Sequence, residues 1–148
     1  MEGNAIAMMV GKTIVWASAV EKGAEAFLFV MNDGSVCGFY HERDCCESVA
    51  VEDVCGDMAD VFGMPITLAE EVSSEQDEEP KPNEGAESWT WTFYKFSTVR
   101  GSVTIRWLGE SNGYYSESVT AKVFASIAEV PIDLLAAAPI VVLSPGQP

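Results

Sequence analysis

The stretch WTWTFYKFSTVRGSVTIRWLGESNGYYSESV, residues 89–119, decides the fold of this chain. Apolar and polar side chains alternate through residues 89–94 and again through residues 103–108, which is the period of half-buried antiparallel strands. Aromatic and β-branched residues fill both runs, as strands prefer. Residues 100–101 and 112–113 both end in glycine, which tolerates positive φ, so each marks a tight turn. The stretch therefore predicts three strands joined by two turns.

The parity of the central run places one large side chain in the core. Trp107 shares parity with Val103 and Ile105 on a strand that has neighbours on both sides, so we expect it to be buried. Shorter patterns elsewhere add a β-meander, one further strand, a helical turn capped by an aspartate and a helix opened by a proline. In order, these are strands in 11–20, 24–31 and 36–40, a strand at 48–54, a turn at 57–62 behind Asp57, an extended segment at 65–72 and a helix at 132–138 behind Pro131.

Taken together, these patterns predict an α+β, mainly antiparallel β fold, built as a single domain of hairpins with one or two short helices. The domain covers residues 1–148, a length at which one hydrophobic core is usual. Residues 73–87 carry no large apolar side chain, so we expect a mobile acidic loop there. From about residue 144 we expect a frayed C-terminal tail.

The net charge of the chain limits the kinds of partner that it is expected to bind. The sequence has 23 acidic and 8 basic side chains and a formal net charge of −15. Such a field repels nucleic-acid phosphates and attracts basic surfaces, so direct nucleic-acid binding is not expected. No run is long and apolar enough to predict a membrane span, and no membrane partner is expected.

The four cysteines and the first ten residues bear on the cellular compartment. Residues 1–10 lack a charged leader followed by a long apolar run and a cleavage site, so we predict a cytosolic protein. Reduced thiols are then expected. Cys45 and Cys46 are adjacent, and neighbouring side chains on a strand point to opposite faces. We therefore expect no bridge between them.

The segment His41–Glu47 gathers an imidazole, carboxylates and two thiols, which are the ligand types of zinc. The spacing argues against a metal, because the chain has no Cys-x-x-Cys pair and only one histidine. We therefore expect no metal, no cofactor and no catalytic residue, with His41 and Asp44 making structural hydrogen bonds. A metal- or thiol-dependent enzyme centred on His41–Cys46 remains the alternative. Other carboxylates, such as Glu47, Glu110 and Glu117, are expected to be solvated.

A second polar cluster lies at the predicted turn after the central strand. Two tyrosines, an amide and a carboxylate follow one another there, close to Arg106, and together they can stack on and hydrogen-bond a small planar ligand. In the alternative, one tyrosine packs inward, the other covers a neighbouring strand, and Arg106 pairs with a strand carboxylate. The predicted ligand-binding set from the two clusters is His41, Asp44, Arg106, Asn112, Tyr114, Tyr115 and Glu117.

Two motifs carry a resemblance to a known group of proteins. They are His-x-x-Asp-Cys-Cys-Glu-Ser-Val, residues 41–49, and Gly-x-Val-Thr-Ile-Arg-Trp-x-Gly-Glu-Ser-Asn-Gly-Tyr-Tyr-Ser-Glu-Ser-Val, residues 101–119. With the segments between them, the chain resembles, over about residues 12–119, a family of small proteins of unknown function encoded by tailed bacteriophages and prophages. The resemblance implies a phage accessory protein acting in the host bacterial cytoplasm, and it carries over no catalytic residue.

The leading hypothesis from the sequence is a non-enzymatic phage accessory protein that binds and neutralises a host defence component. It would do so by sequestering a small nucleotide-like signal in a pocket built from His41–Glu47 and Arg106–Glu117. The alternative is an acidic nucleic-acid mimic that blocks a host DNA- or RNA-binding defence protein. A third possibility is a structural or regulatory phage component. Exposed strand edges also favour a homodimer or higher homo-oligomer.

Overall fold

The computed structural model describes residues 3–75, 81–138 and 142–143, and it shows a mainly antiparallel β structure with two short helices. This confirms the predicted fold class. The helices are α1 (Gly3–Met9) and α2 (Ile132–Ala137). The strands are β1 (Ile14–Ser18), β2 (Ala26–Met31), β3 (Val36–Tyr40), β4 (Ser48–Cys55), β5 (Leu68–Glu75), β6 (Ser88–Thr98), β7 (Gly101–Ser111), β8 (Thr120–Phe124) and β9 (Val142–Leu143).

The first sheet contains the predicted N-terminal meander. Its order is β8-β3-β2-β1-β9, and β1, β2 and β3 pair as antiparallel neighbours. Strand β2 is apolar on both faces because both faces are covered. Phe27 and Phe29 belong to the main core, whereas Ala26 and Leu28 belong to a smaller cluster that Leu134 of α2 completes.

The second sheet has the order β4-β7-β6-β5 and holds the predicted central hairpin. Strands β6 and β7 pair along their whole length, from Ser88 opposite Ser111 to Thr98 opposite Gly101. Trp107 is fully buried at the middle of this sheet, as its parity predicts. The short 3-10 turn Met58–Val61 follows β4, and the Asp57 side chain accepts a hydrogen bond from its Ala59 N–H at 2.9 Å, which confirms the predicted cap.

The main core lies between the two sheets and is largely aromatic. Phe27 of the first sheet contacts Trp107 of the second at 5.8 Å between ring centroids, and Phe39 meets Tyr94 edge-on at 5.0 Å. Tilted and edge-on rings at these separations add to the stabilisation from burial alone. The two sheets are therefore held together by interlocked rings from β2, β3, β6 and β7.

The predicted third strand of the central stretch does not form. After β7 the chain leaves the sheet, and Thr120 begins β8 in the other sheet, paired with Tyr40 of β3. Gly113 adopts a φ of 92°, and the Asn112 side chain accepts a hydrogen bond from the Tyr114 N–H, so these residues make a local turn instead of a hairpin. The following segment packs over β7 at Gly109, where an added Cβ would meet the Glu117 carbonyl oxygen at 2.4 Å.

Other boundaries also differ from the prediction. Strand β5 continues through Glu75. The predicted start of the acidic loop, at residue 73, is therefore too early. Ser73, Ser74 and Glu75 pair with β6, and the rest of that loop is described only from residue 81. Helix α1 was not predicted. The tail expected from residue 144 lies outside the described residues, and no helix of the described chain has the length and apolar character needed to cross a membrane.

Candidate functional site

His41 and Glu47 form a buried pair at the centre of the first motif. The His41 Nε2 lies 2.7 Å from Glu47 Oε2, and its Nδ1 lies 2.7 Å from the Ser118 carbonyl oxygen. Both partners are acceptors, so a ring that serves both carries a proton on each nitrogen. The pair therefore joins the first motif to the C-terminal end of the second.

The carboxylate of Glu47 accepts its hydrogen bonds from the loop that precedes it, residues 41–46. It accepts the Asp44 N–H at 2.8 Å and the Cys45 N–H at 2.9 Å in addition to the histidine. The hydrogen bond from the Asp44 N–H, then the one from His41, and then the one from the Cys45 N–H lower the pKa of Glu47 from 4.5 to about 2. Glu47 is 2% exposed, so the expectation that it would be a solvated carboxylate is wrong.

Glu47→Gln is expected to flatten the acid limb of the stability curve. The folded-state pKa of about 2 lies below the ordinary 4.5, so the wild-type carboxylate stabilises the fold fully above pH 4.5. That contribution is lost as the pH falls towards 2. Urea unfolding between pH 7 and pH 2 measures it, and the variant should be less stable at pH 7 and lose less on acidification. Exposed Glu71→Gln is the control, and identical acid limbs for wild type and Glu47→Gln would contradict the assignment.

Cys45 and Cys46 are joined to each other by a disulfide, so the expectation that they would not bridge is wrong. Adjacent side chains point apart only where the chain forms a strand. Both residues instead lie in a bend before β4, where the alternation of a strand does not hold. Of the other two thiols, Cys55 is exposed, and Cys37 is buried with its pKa raised to about 11 by that burial.

Glu117 is the second carboxylate that the structure buries. Its Oε1 accepts the Thr90 hydroxyl at 2.7 Å and its Oε2 accepts the Ser111 hydroxyl at 2.5 Å. The Ser111 oxygen in turn accepts the Gly113 N–H at 2.9 Å. Glu117 therefore fastens the segment after β7 to the ends of β6 and β7, and it holds the second motif in place.

The two motifs, far apart in sequence, meet in one pocket of about 420 Å³, which we call the motif pocket. The first motif supplies residues 46–48 and the second supplies residues 110–112 with Tyr115. Residues 85–87, from the segment before β6, complete the lining. The side chains offer hydroxyls, an amide, a phenol and carboxylates, namely Ser48, Glu87, Glu110, Ser111, Asn112 and Tyr115. The described lining contains no lysine or arginine.

The predicted ligand-binding residues are only partly brought together. Asn112 and Tyr115 line the motif pocket, whereas His41 lines a different pocket. Tyr114 is 83% exposed and lies outside both pockets. Glu117 is buried, and its carboxylate accepts hydrogen bonds from the protein itself. Asp44 is exposed and contributes its backbone N–H to Glu47. Ser48 and Glu87 also line this pocket without having been predicted for it, and Ser48 lies within the first motif.

Arg106 lies on the outer face of the second sheet, away from the motif pocket. Its guanidinium donates to Asp53 through Nε at 3.2 Å and through Nη2 at 2.5 Å, and it lies 4.5 Å from the centre of the Trp91 ring. The hydrogen bonds to Asp53 raise the pKa of Arg106. Of the two predicted roles, the structure therefore assigns Arg106 to a strand carboxylate, and an anion hook in the pocket is wrong.

Arg106→Ala is expected to lower the free energy of unfolding by about 1–2 kcal/mol, because the partly exposed ion pair contributes little and the guanidinium also packs over the ring of Trp91, which is only 4% exposed. Chemical denaturation measures the loss. A double-mutant cycle with Asp53→Ala should recover a smaller coupling, because it reports the ion pair without the Trp91 contact. Additive losses in that cycle would show that the two side chains do not interact.

Among the described residues, no group of three or more histidine, cysteine, aspartate or glutamate side chains is arranged to hold a metal. Residues 7–121 match the profile of a family described as a domain of unknown function (DUF7448). The matched range includes both motifs and therefore the whole motif pocket. Comparison with curated proteins and with solved structures found no match.

Proposed function

This chain belongs to the DUF7448 family, a domain of unknown function, and from that premise we propose that it is a non-enzymatic binding protein. Its motif pocket takes the nucleoside portion of a small nucleotide-like signal. The observation that carries the proposal is the meeting of residues 46–48 with residues 110–112 and Tyr115 in one pocket. The resemblance to proteins of tailed phages rests on these same two segments. In that setting the bound signal is one used by a host defence system in the bacterial cytoplasm.

The chemistry of the lining supports a nucleoside and disfavours bound phosphate. Tyr115 offers an aromatic face for a base, and the Ser48 hydroxyl and the amide nitrogen of Asn112 offer hydrogen-bonding groups to its edge. Glu87 and Glu110 accept from sugar hydroxyls but repel phosphate. Arg106, the donor that the sequence offered for an anion, is engaged by Asp53. Any phosphate of the ligand therefore lies outside the pocket, in solvent.

Binding without catalysis fits the fixed state of the acidic groups near the pocket. Glu47 and Glu117 are already occupied by hydrogen bonds from their own chain. Neither is therefore free to move a proton to or from a substrate. The proposal consequently assigns the two buried carboxylates to holding the pocket walls.

Tyr115→Ala is expected to abolish ligand retention while the protein stays folded. In a phage-challenge assay, the variant should no longer neutralise the host defence. The test purifies the protein from cells with an active defence system and identifies bound small molecules by mass spectrometry. Tyr114→Phe is the matched control, because this exposed side chain lies outside the pocket and the substitution keeps the ring that packs edge-on against Tyr115, and it should retain the ligand. Arg106→Ala should also retain it. Full activity of Tyr115→Ala would remove the pocket from consideration.

A second candidate function rests on the net charge of −15. Several basic side chains are engaged by carboxylates of the described chain, since Lys12, Lys22, Arg43 and Arg106 each form an ion pair there. An acidic mimic would use many carboxylates at once to bind a basic host protein. Replacing Glu70, Glu71 and Glu84 by glutamine should then weaken binding and its salt dependence, with Tyr115→Ala silent. The pocket proposal predicts the reverse pattern.

A further inference from the structure

A second pocket, of about 410 Å³, lies beside α2 on the other side of the His41–Glu47 pair, and we call it the α2 pocket. Buried apolar side chains from three elements line it, namely Ala26 of β2, Val49 of β4 and Leu134 of α2. Exposed carboxylates lie around them. The site therefore combines an apolar floor with a charged rim, which is the form of a specific small-molecule site.

The rim carries an excess of negative charge. Glu25, Glu42, Glu47 and Asp133 line the pocket against two basic side chains, Arg43 and His41. Both of these are already engaged by carboxylates of the same pocket, since Arg43 Nη1 lies 4.0 Å from Glu25 and His41 contacts Glu47. Glu42 and Asp133 form no ion pair within the described chain. An anion would meet net repulsion here and a cation net attraction.

The lining of the α2 pocket also contains an aromatic side chain. Tyr40 lines the same pocket and packs against the apolar cluster beneath α2. The face of a tyrosine ring attracts cations, most strongly those that lose little hydration on binding. A compact ammonium holds its water strongly, whereas an alkylated ammonium presents methyl groups that suit the apolar floor.

We propose that the α2 pocket binds a small alkylated ammonium compound, with its methyl groups on the floor of Ala26, Val49 and Leu134 and its charge facing Tyr40, Glu42 and Asp133. This site is separate from the motif pocket in ligand and in lining, apart from the shared wall residue Glu47. A cation on one side and a nucleoside on the other make the protein a binder of two ligands. The proposal does not depend on the function of the motif pocket.

The test titrates the full chain, labelled with ¹⁵N, with choline and with its uncharged isostere 3,3-dimethylbutan-1-ol. Choline should give saturable shifts at the backbone amides of Ala26 and Leu134 and leave Ser111 and Tyr115 in place. The isostere should bind about tenfold more weakly, a ratio typical of one lost charge contact. Equal affinity for the two compounds would show an apolar cavity without cation selectivity and would overturn the proposal.

Matched variants locate the site. Ala137 lines the pocket and Ala136 does not, although both are exposed on α2. Ala137→Phe should therefore abolish choline binding and Ala136→Phe should leave it unchanged. Removing the rim charges with Glu42→Gln and Asp133→Asn should weaken choline several-fold and leave the isostere unaffected, whereas Glu21→Gln, elsewhere on the surface, should do neither.

Three results would contradict the site. Loss of binding in both phenylalanine variants would place the effect in the helix and not in the pocket. Absence of saturation with choline would remove the site altogether. Tighter binding of capped lysine, Nα-acetyl-lysine amide, than of choline would show that the pocket accepts the side chain of a partner protein instead of a free small molecule. A failure of this kind leaves the result for Tyr115→Ala unchanged, so the two sites are tested separately.

Discussion

Trp107→Ala is expected to lower the urea denaturation midpoint of the protein far below that of the wild type. The side chain is fully buried between the sheets and contacts Phe27 at 5.8 Å. Removing it leaves a cavity bounded by strands that cannot close over it, and such truncations cost about 3–5 kcal/mol. That is a large part of the 5–15 kcal/mol typical of a whole domain. Urea denaturation followed by circular dichroism measures the loss.

Trp107→Phe provides the matched comparison for that experiment. The indole Nε1 has no hydrogen-bond partner among the described residues, so the substitution removes volume but no hydrogen bond. We therefore expect a clearly smaller loss than with alanine, and a folded protein. An alanine variant with an unchanged denaturation midpoint would show that Trp107 does not pack between the sheets.

Gly109→Ala is expected to have the second largest effect, because the new Cβ would meet backbone. It would lie 2.4 Å from the Glu117 carbonyl oxygen and 2.8 Å from the Glu117 Cβ. The segment above β7 has to move, and overpacking of this kind costs about 1–3 kcal/mol. The movement also pulls Glu117 from the Thr90 and Ser111 hydroxyls, so the motif pocket should lose its ligand together with the stability.

Gly85→Ala is the control for Gly109→Ala. Gly85 lines the same pocket, but its new Cβ would meet only Asn83 Oδ1, at an ordinary 3.5 Å. The melting temperature should therefore stay near that of the wild type. If Gly109→Ala behaves like Gly85→Ala, the segment at Glu117 does not rest on β7 and the pocket wall is placed wrongly.

Sequence patterns predicted the strands well where the signal is local. Alternation over residues 89–108 gave β6, the turn at Gly101 and β7, and the same parity placed Trp107 inside. Asp57 was recognised as a cap because capping needs only a side chain and an N–H two residues away. The prediction failed at residues 112–119, where Asn112-Gly113 was interpreted as a hairpin turn. That signal fixes a reversal of the chain but not the strand that follows it.

The candidate site was harder to predict because its parts are set by long-range pairing. Arg106 faces Asp53 since the register of β4 against β7 shifts between Val51 and Asp53, and a shift of this kind re-aims the side chains beyond it. Glu47 is buried because the N–H groups of Asp44 and Cys45 converge on it, which depends on a bend that no periodicity reveals. The acidic composition favoured a solvated carboxylate at both Glu47 and Glu117.

The sequence by itself determined the class of the fold, the identity of the central hairpin and the two motifs from which the candidate site is built. These follow from period-two alternation, turn residues and residue type, all of which act over a few neighbours. Only the tertiary structure decided that the two motifs meet, that Arg106 stays outside their pocket and that His41 faces a second pocket beside α2. Those outcomes depend on strand register, on the close approach at Gly109 and on the crossing to β8, and each is fixed by contacts between residues far apart in the chain.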